Sequence, residues 1–279
     1  MLGKLIKHDW KSIWKTMFMM NAILVIMTII GIISFQTPLW SSDIPQLNVL
    51  AGIILVVYYI SLIVVAFASF IFLSVHFYKN LYSDEGYLTH TLPVTPSKIL
   101  LAKLIVAVSW TIITTFVIVV SVLTLLYSVL IKFADGFTIL LFTEAINIII
   151  DQVALEIGTP FPLFILAMIS FSFVSSVCGM LMIYGSISIG QLWSKHKVLG
   201  SIFTYVGIYI VLETILTMAL ATFSNGLIVG NVSSMASSSF SLSRTIWSTM
   251  FTSTGIMLVI GIILFFLSSY IMKKKLNLD

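Results

Sequence analysis

Six apolar runs, each long enough to cross a lipid bilayer, constrain this chain more than any other feature of it. They cover roughly Met17–Phe35, Leu50–Val75, Ile99–Ile131, Phe161–Gly190, Leu199–Phe223 and Ile246–Met272. A helix crosses the hydrocarbon with about 20 apolar residues. In lipid it is also the element that satisfies its own backbone hydrogen bonds. Of the 279 residues, 59% are hydrophobic and 9% charged, whereas a soluble domain carries about 25% charged residues. No core of ordinary size hides that much apolar surface from water. The expected fold is therefore all-α: one polytopic transmembrane domain over residues 1–279, with six membrane-spanning helices. The third and fourth runs are long, so their helices tilt or extend beyond the bilayer.

The formal charge of +4 does not make this a nucleic-acid-binding protein. Its cations lie in short clusters beside apolar runs and form no basic domain. With the N-terminus inside, Lys4, Lys7, Lys11, Lys15, Lys79, Lys98, Lys103, Lys195, Lys197, Lys273, Lys274 and Lys275 fall on the cytoplasmic side. Lys132 and Arg244 fall outside. That bias predicts a multi-pass protein of the cell membrane with both termini cytoplasmic. The first apolar run is followed by no small-residue cleavage site, so a cleaved signal peptide is not expected.

Two amphipathic stretches flank the spans. In residues 1–16, Leu2, Leu5, Ile6, Trp10, Ile13 and Trp14 recur at three and four, continuing to Met17, and Lys4, Lys7, His8, Lys11 and Lys15 line the other side. This pattern predicts a helix lying in the inner interface, with lysines toward anionic lipid, joined to the first span as an elbow. Within the outer segment 132–160, Phe137–Ile157 is long enough to span, yet Glu144, Asn147, Asp151 and Glu156 mark one helical face. Three acids in lipid are costly. A seventh crossing would also move Lys195, Lys197 and Lys273 to Lys275 outside. The expectation is an amphipathic helix on the outer surface, with a re-entrant segment as the alternative.

The densest polar segment, "NLYSDEGYLTHTLPVTPSK", spans Asn80 to Lys98 within a cytoplasmic loop at 76–98. Ser83 suits a helix N-cap, with Asp84 and Glu85 in the first turn, where the helix dipole favours negative charge. Tyr87, Leu88 and Leu92 give a short helix an apolar side, and Pro93 ends it. Thr95 caps the next helix, with Pro96 at its first position. Lys98 and Lys103 can snorkel to the inner headgroups. Such a helix offers a soluble partner apolar anchors and orienting charge; a well-capped loop with no partner would read the same.

The run "DEGYLTHTLPVTPSKILLAK" resembles the loop between the second and third spans of ABC transporter permease subunits of the exporter class. Glu85, Gly86, Tyr87, Leu88, Leu92, Pro93, Val94, Thr95 and Lys103 stand at the matching places. The six-span layout and amphipathic N-terminus are similar to that family as well. The resemblance implies that this loop holds a coupling helix, with Asp84, Glu85, Gly86, Tyr87, Leu88, Leu92 and Pro93 meeting a cytoplasmic ATP-binding subunit. It implies a second permease subunit, identical or related, with ATP and Mg bound in the partner rather than in this chain. It implies export of an amphipathic peptide, antibiotic or lipid-like compound. Many relatives carry arginine near this loop, and this chain has none on the inner side, so ion pairing to the ATPase would differ.

The residues of this chain carry no catalytic signature. There is no phosphate-binding G-x-x-x-x-G-K-[S/T], no H-E-x-x-H and no glycine-framed serine. Cys178 is the single cysteine and reads as a small apolar residue. His76, Asp84, Glu85 and His90 match no metal-ligand spacing. Glu213 is the acid well inside a predicted span. It can bind a cationic substrate, relay a proton or bond a neighbouring helix. The small residues of the fourth span, Ser172, Ser175, Ser176, Gly179, Gly185, Ser186 and Gly190, serve close helix packing or a polar substrate groove. Glu213, Ser172 and Ser176 are the candidate pathway residues. The segment 224–245 reads as loop. The alternative function is a membrane assembly or sensory protein whose loop binds a different soluble partner. An intramembrane enzyme is disfavoured because no paired catalytic groups converge.

Overall fold

The computed structural model describes residues 2–37, 40, 45–83, 86, 94–133, 139–193, 196–231 and 238–274. Among these, seven α-helices and no strands occur: α1 (Leu2–Gln36), α2 (Pro45–Tyr82), α3 (Pro96–Phe133), α4 (Ile139–Ile157), α5 (Phe161–Gly190), α6 (Lys197–Asn231) and α7 (Ser238–Lys274). Six of them, all but α4, are long and apolar enough to cross a membrane. The chain is an all-α polytopic membrane protein, and each of the six expected apolar runs lies in one of these six helices.

Large apolar side chains cover much of the surface. Phe67, Phe116, Leu166, Phe203, Phe251 and Phe266 are each more than 60% exposed, a face that only lipid or another apolar helix suits. α4 behaves differently. Glu144, Asn147, Asp151 and Glu156 are exposed along it, as are Ile148, Ile149 and Leu155. Its three acids in 19 residues keep it out of the spanning set. Gly158, at φ 68°, ends it, and its N–H donates to the Ala154 carbonyl (3.0 Å), closing the last turn. Pro160 then stands at the N-cap of α5.

The chain divides into two compact units, one of residues 1–77 and 101–142, the other of residues 78–100 and 143–279. In the first, α1, α2 and α3 enclose a cluster of Phe35, Tyr58 and Leu125. Cross-links between α1 and α3 keep a nearly constant sequence separation. Asp9 meets Lys103, Asn21 meets Thr114 and Thr28 meets Ser121 at separations of 94, 93 and 93 residues. A constant separation means that the two helices run parallel in fixed register. Gly31 belongs to the same ladder, for a Cβ there would lie 2.8 Å from the Leu125 side chain. Tyr58 of α2 reaches Ser121 at 2.8 Å and ties the third helix in.

The amphipathic stretch at the N-terminus is helical, and it enters the first span without the expected elbow. α1 is one unbroken helix of 35 residues, about 52 Å long. Between Lys4 and Ile30 it holds no glycine or proline that would bend it. Its buried face is continuous through the boundary: Asp9, Ile13, Met17, Asn21, Leu24 and Thr28. Lys4, Lys7, Lys11 and Lys15 are exposed on the opposite side. Trp10 stacks on Trp110 of α3, centroids 5.1 Å apart, so the N-terminal turns pack as part of the bundle.

In the second unit α5 packs against α6 and α7 around Met182, Leu212 and Leu264. Small residues set these crossings. A Cβ on Gly185 would lie 3.0 Å from Leu264, and one on Gly261 would lie 3.1 Å from Cys178 Sγ. At Gly190 any Cβ would collide with the backbone of Ser201, so α5 and α6 cross there backbone to backbone. α6 continues to Asn231 and α7 starts at Ser238, so most of the loop expected over 224–245 is helical, and 232–237 lie outside the described residues. Hydroxyls need not break a helix in an apolar setting, because they bond back to carbonyls one turn earlier. Thr249, Thr252, Ser253 and Thr254 do this in α7, at 2.6–2.9 Å to the carbonyls of Ile246, Ser248, Thr249 and Met250.

Candidate functional site

The loop joining α2 to α3 is the strongest candidate, and the described residues fix both of its ends. α2 runs on to Tyr82, so the loop begins later than the expected 76. Tyr82 is buried and donates its hydroxyl to Ser188 Oγ of α5 at 2.7 Å. Ser188, fully buried, passes the bond on to the Tyr184 carbonyl at 2.8 Å. Ser83 then leaves the helix, and its carbonyl accepts from the Gly86 N–H at 2.7 Å. Gly86 is buried with helical backbone. A Cβ there would meet the Leu81 carbonyl oxygen at 2.5 Å and its carbon at 2.7 Å. The chain folds back so tightly on the end of α2 that only glycine fits.

At the far end Thr95 stands just before the helix, at the expected position. The Thr95 carbonyl accepts from the Lys98 and Ile99 N–H groups at 2.9 and 3.3 Å, as the residue before a helix does. Pro96 opens α3, where its missing N–H costs nothing. One residue on, Ser97 Oγ shares a 2.6 Å hydrogen bond with Ser269 Oγ of α7. Both feet of the loop are thus fastened within the second unit, one to α5 and the other to α7. Asp84, Glu85, Tyr87, Leu88, Leu92 and Pro93, the other residues expected to meet a partner, lie outside the described residues.

Lys98 is exposed, but Lys103 is not. Lys103 Nζ lies 3.2 Å from Asp9 Oδ1 and 3.4 Å from Oδ2, with its side chain 6% exposed. The register of α1 against α3 puts the two at one level and leaves the ammonium no path to the surface. Sequence reading missed Asp9. Its signal was available: it is the acid in the row Asp9, Ile13, Met17 of the apolar stripe.

The candidate pathway residues are not brought together. Glu213 is exposed on α6, one position past Leu212, which points into the core. Tyr209 stands one turn earlier on the same helix. The two stand in a shallow open dent with Ile210, Thr214, Thr217 and Met218. Ser172 is exposed on α5, and Ser176 is half-buried with its Oγ unpartnered. Among the described residues no group of three His, Cys, Asp or Glu side chains could hold a metal ion. Comparison with protein-family models, with curated proteins and with solved structures finds no match.

Proposed function

We propose that this chain is the membrane-spanning permease subunit of an ATP-driven exporter, coupled through its α2–α3 loop to a separate ATP-binding subunit. The observation that carries the reading is that loop. Its sequence resembles a coupling segment between Glu85 and Lys103, and its two feet are fastened to two different helices. A push on a loop held at Tyr82–Ser188 and Ser97–Ser269 is delivered to α5 and α7 rather than absorbed by slack chain. Closure of an ATPase below would then move one helix pair against another, a two-state change.

Lysine placement supports an orientation with both termini and this loop in the cytoplasm of a cell-membrane protein. Two such permease subunits, identical or related, would enclose the pathway. Glu213 and Ser172 are displayed on helix surfaces where an amphipathic peptide, antibiotic or lipid-like cargo can meet them, with Ser176 deeper on α5. ATP and Mg belong to the partner, and hydrolysis occurs there. Co-purification tests the proposal. The wild-type chain should bring down an ATPase, and Leu88→Asp and Glu85→Lys should each abolish that pairing. Retention of the ATPase by both variants would contradict it.

A further inference from the structure

Four side-chain atoms on α1 and α3 are buried without a hydrogen-bond partner: Asn21 Oδ1, Trp110 Nε1, Ser34 Oγ and Ser128 Oγ. Each residue is more than nine-tenths buried. All four belong to the first unit and lie along the α1–α3 ladder. Trp110 stands one turn before Thr114, the residue that Asn21 Nδ2 bonds at 3.2 Å. Ser34 and Ser128 have the same sequence separation as Asp9 and Lys103, so the parallel register puts them at one level.

We infer that the α1–α3 seam binds ordered water at two levels within the bilayer, one molecule between Trp110 Nε1 and Asn21 Oδ1 and one shared by Ser34 and Ser128. The chemistry matches at both levels. At the first, an unused donor and an unused acceptor await a molecule that accepts from one and donates to the other. At the second, two hydroxyls can each donate to or accept from one shared molecule. An unpaired buried polar group costs more than the ordering of a single water, and buried water in folded proteins serves this purpose. The two sites are separate and form no channel. Leu24, on the same face between Asn21 and Ser34, is fully buried and supplies a dry layer. Thr28 and Tyr58 each bond Ser121 directly at the level between.

Thermal unfolding of the full-length protein in nanodiscs tests the second level through Ser34→Ala, Ser128→Ala and the double variant. Alanine suits a helix at both positions, so folding is retained. A shared water predicts that each single change lowers Tm by a few degrees and that the double change lowers it no further. A rise or no change in either single variant means an unsolvated hydroxyl, and fully additive losses mean independent bonds; either result overturns the inference. Radiolytic labelling with oxygen-18 water tests the first level. Trp110 should label in the wild-type protein and lose most of that label in Asn21→Leu, and equal labelling of Trp110 in the two proteins would overturn the inference.

Discussion

Asp9 and Lys103 form a buried ion pair at 3.2 Å, with side chains 11% and 6% exposed, and this pair joins the first turns of α1 to α3. Removing one partner strands a charge in a poorly solvated place, which costs about 3–5 kcal/mol, whereas replacing both by apolar residues is close to neutral. Lys103→Met and Asp9→Leu should therefore each lower the unfolding temperature in nanodiscs by several degrees. The double variant should recover most of the loss. Additive losses would mean that the two charges are solvated independently.

Gly86 lies against the Leu81 carbonyl with no room for a methyl group. Gly86→Ala must open the turn between Ser83 and Gly86 and give up the 2.7 Å hydrogen bond there. The expected outcome is a folded protein, unchanged in its spans, whose loop is cut faster by protease and whose pull-down of an ATPase weakens by about tenfold or more, equivalent to about 1.4 kcal/mol. Wild-type protease resistance would contradict the tight turn.

The Tyr82–Ser188 hydrogen bond fastens the entry foot of the loop to α5. Tyr82→Phe and Ser188→Ala should each destabilise by about 1 kcal/mol, more where the surviving hydroxyl is left unpaired. A double-mutant cycle should return a coupling energy of at least about 0.5 kcal/mol. If the foot transmits force, Tyr82→Phe should also lower transport relative to ATP hydrolysis. Zero coupling energy would show that the two side chains act independently.

Glu213 is exposed on α6, one turn after Tyr209. Glu213→Gln should shift stability by less than about 0.5 kcal/mol, as exposed substitutions do. If the carboxylate holds a cationic group of the cargo, transport should fall by about tenfold, the loss of one charge-assisted bond. Unchanged transport with unchanged stability rules out a charge-dependent role.

Much of this architecture was legible in the sequence because lipid imposes a length rule. Runs such as Ile99–Ile131 and Phe161–Gly190 are too apolar and too long to be anything but spans. Thr95 and Pro96 marked the start of α3 because capping chemistry is local. The expectations that failed depended on tertiary packing. An elbow after residue 16 followed from a lysine-lined face, but periodicity cannot tell an interfacial helix from the first turns of a longer one. Lys103 looked like a snorkelling cation because Asp9, ninety-four residues away, had no local signal linking the two. The stretch after Phe223 read as loop because serine, asparagine and glycine are turn formers, yet α6 continues to Asn231 and α7 begins at Ser238. Gly86 was placed in the motif by resemblance, and its steric requirement emerged only from the carbonyl of Leu81 beneath it.

The central claim is that the α2–α3 loop faces the cytoplasm and is pressed by a nucleotide-hydrolysing partner. A single reporter thiol tests it directly: Leu88→Cys in a Cys178→Ser background, exposed to a membrane-impermeant maleimide in vesicles of known sidedness. The account predicts labelling only from the cytoplasmic face, with protection when the ATPase subunit is present. Labelling from the outer face, or labelling at the inner face that the ATPase does not slow, would contradict it.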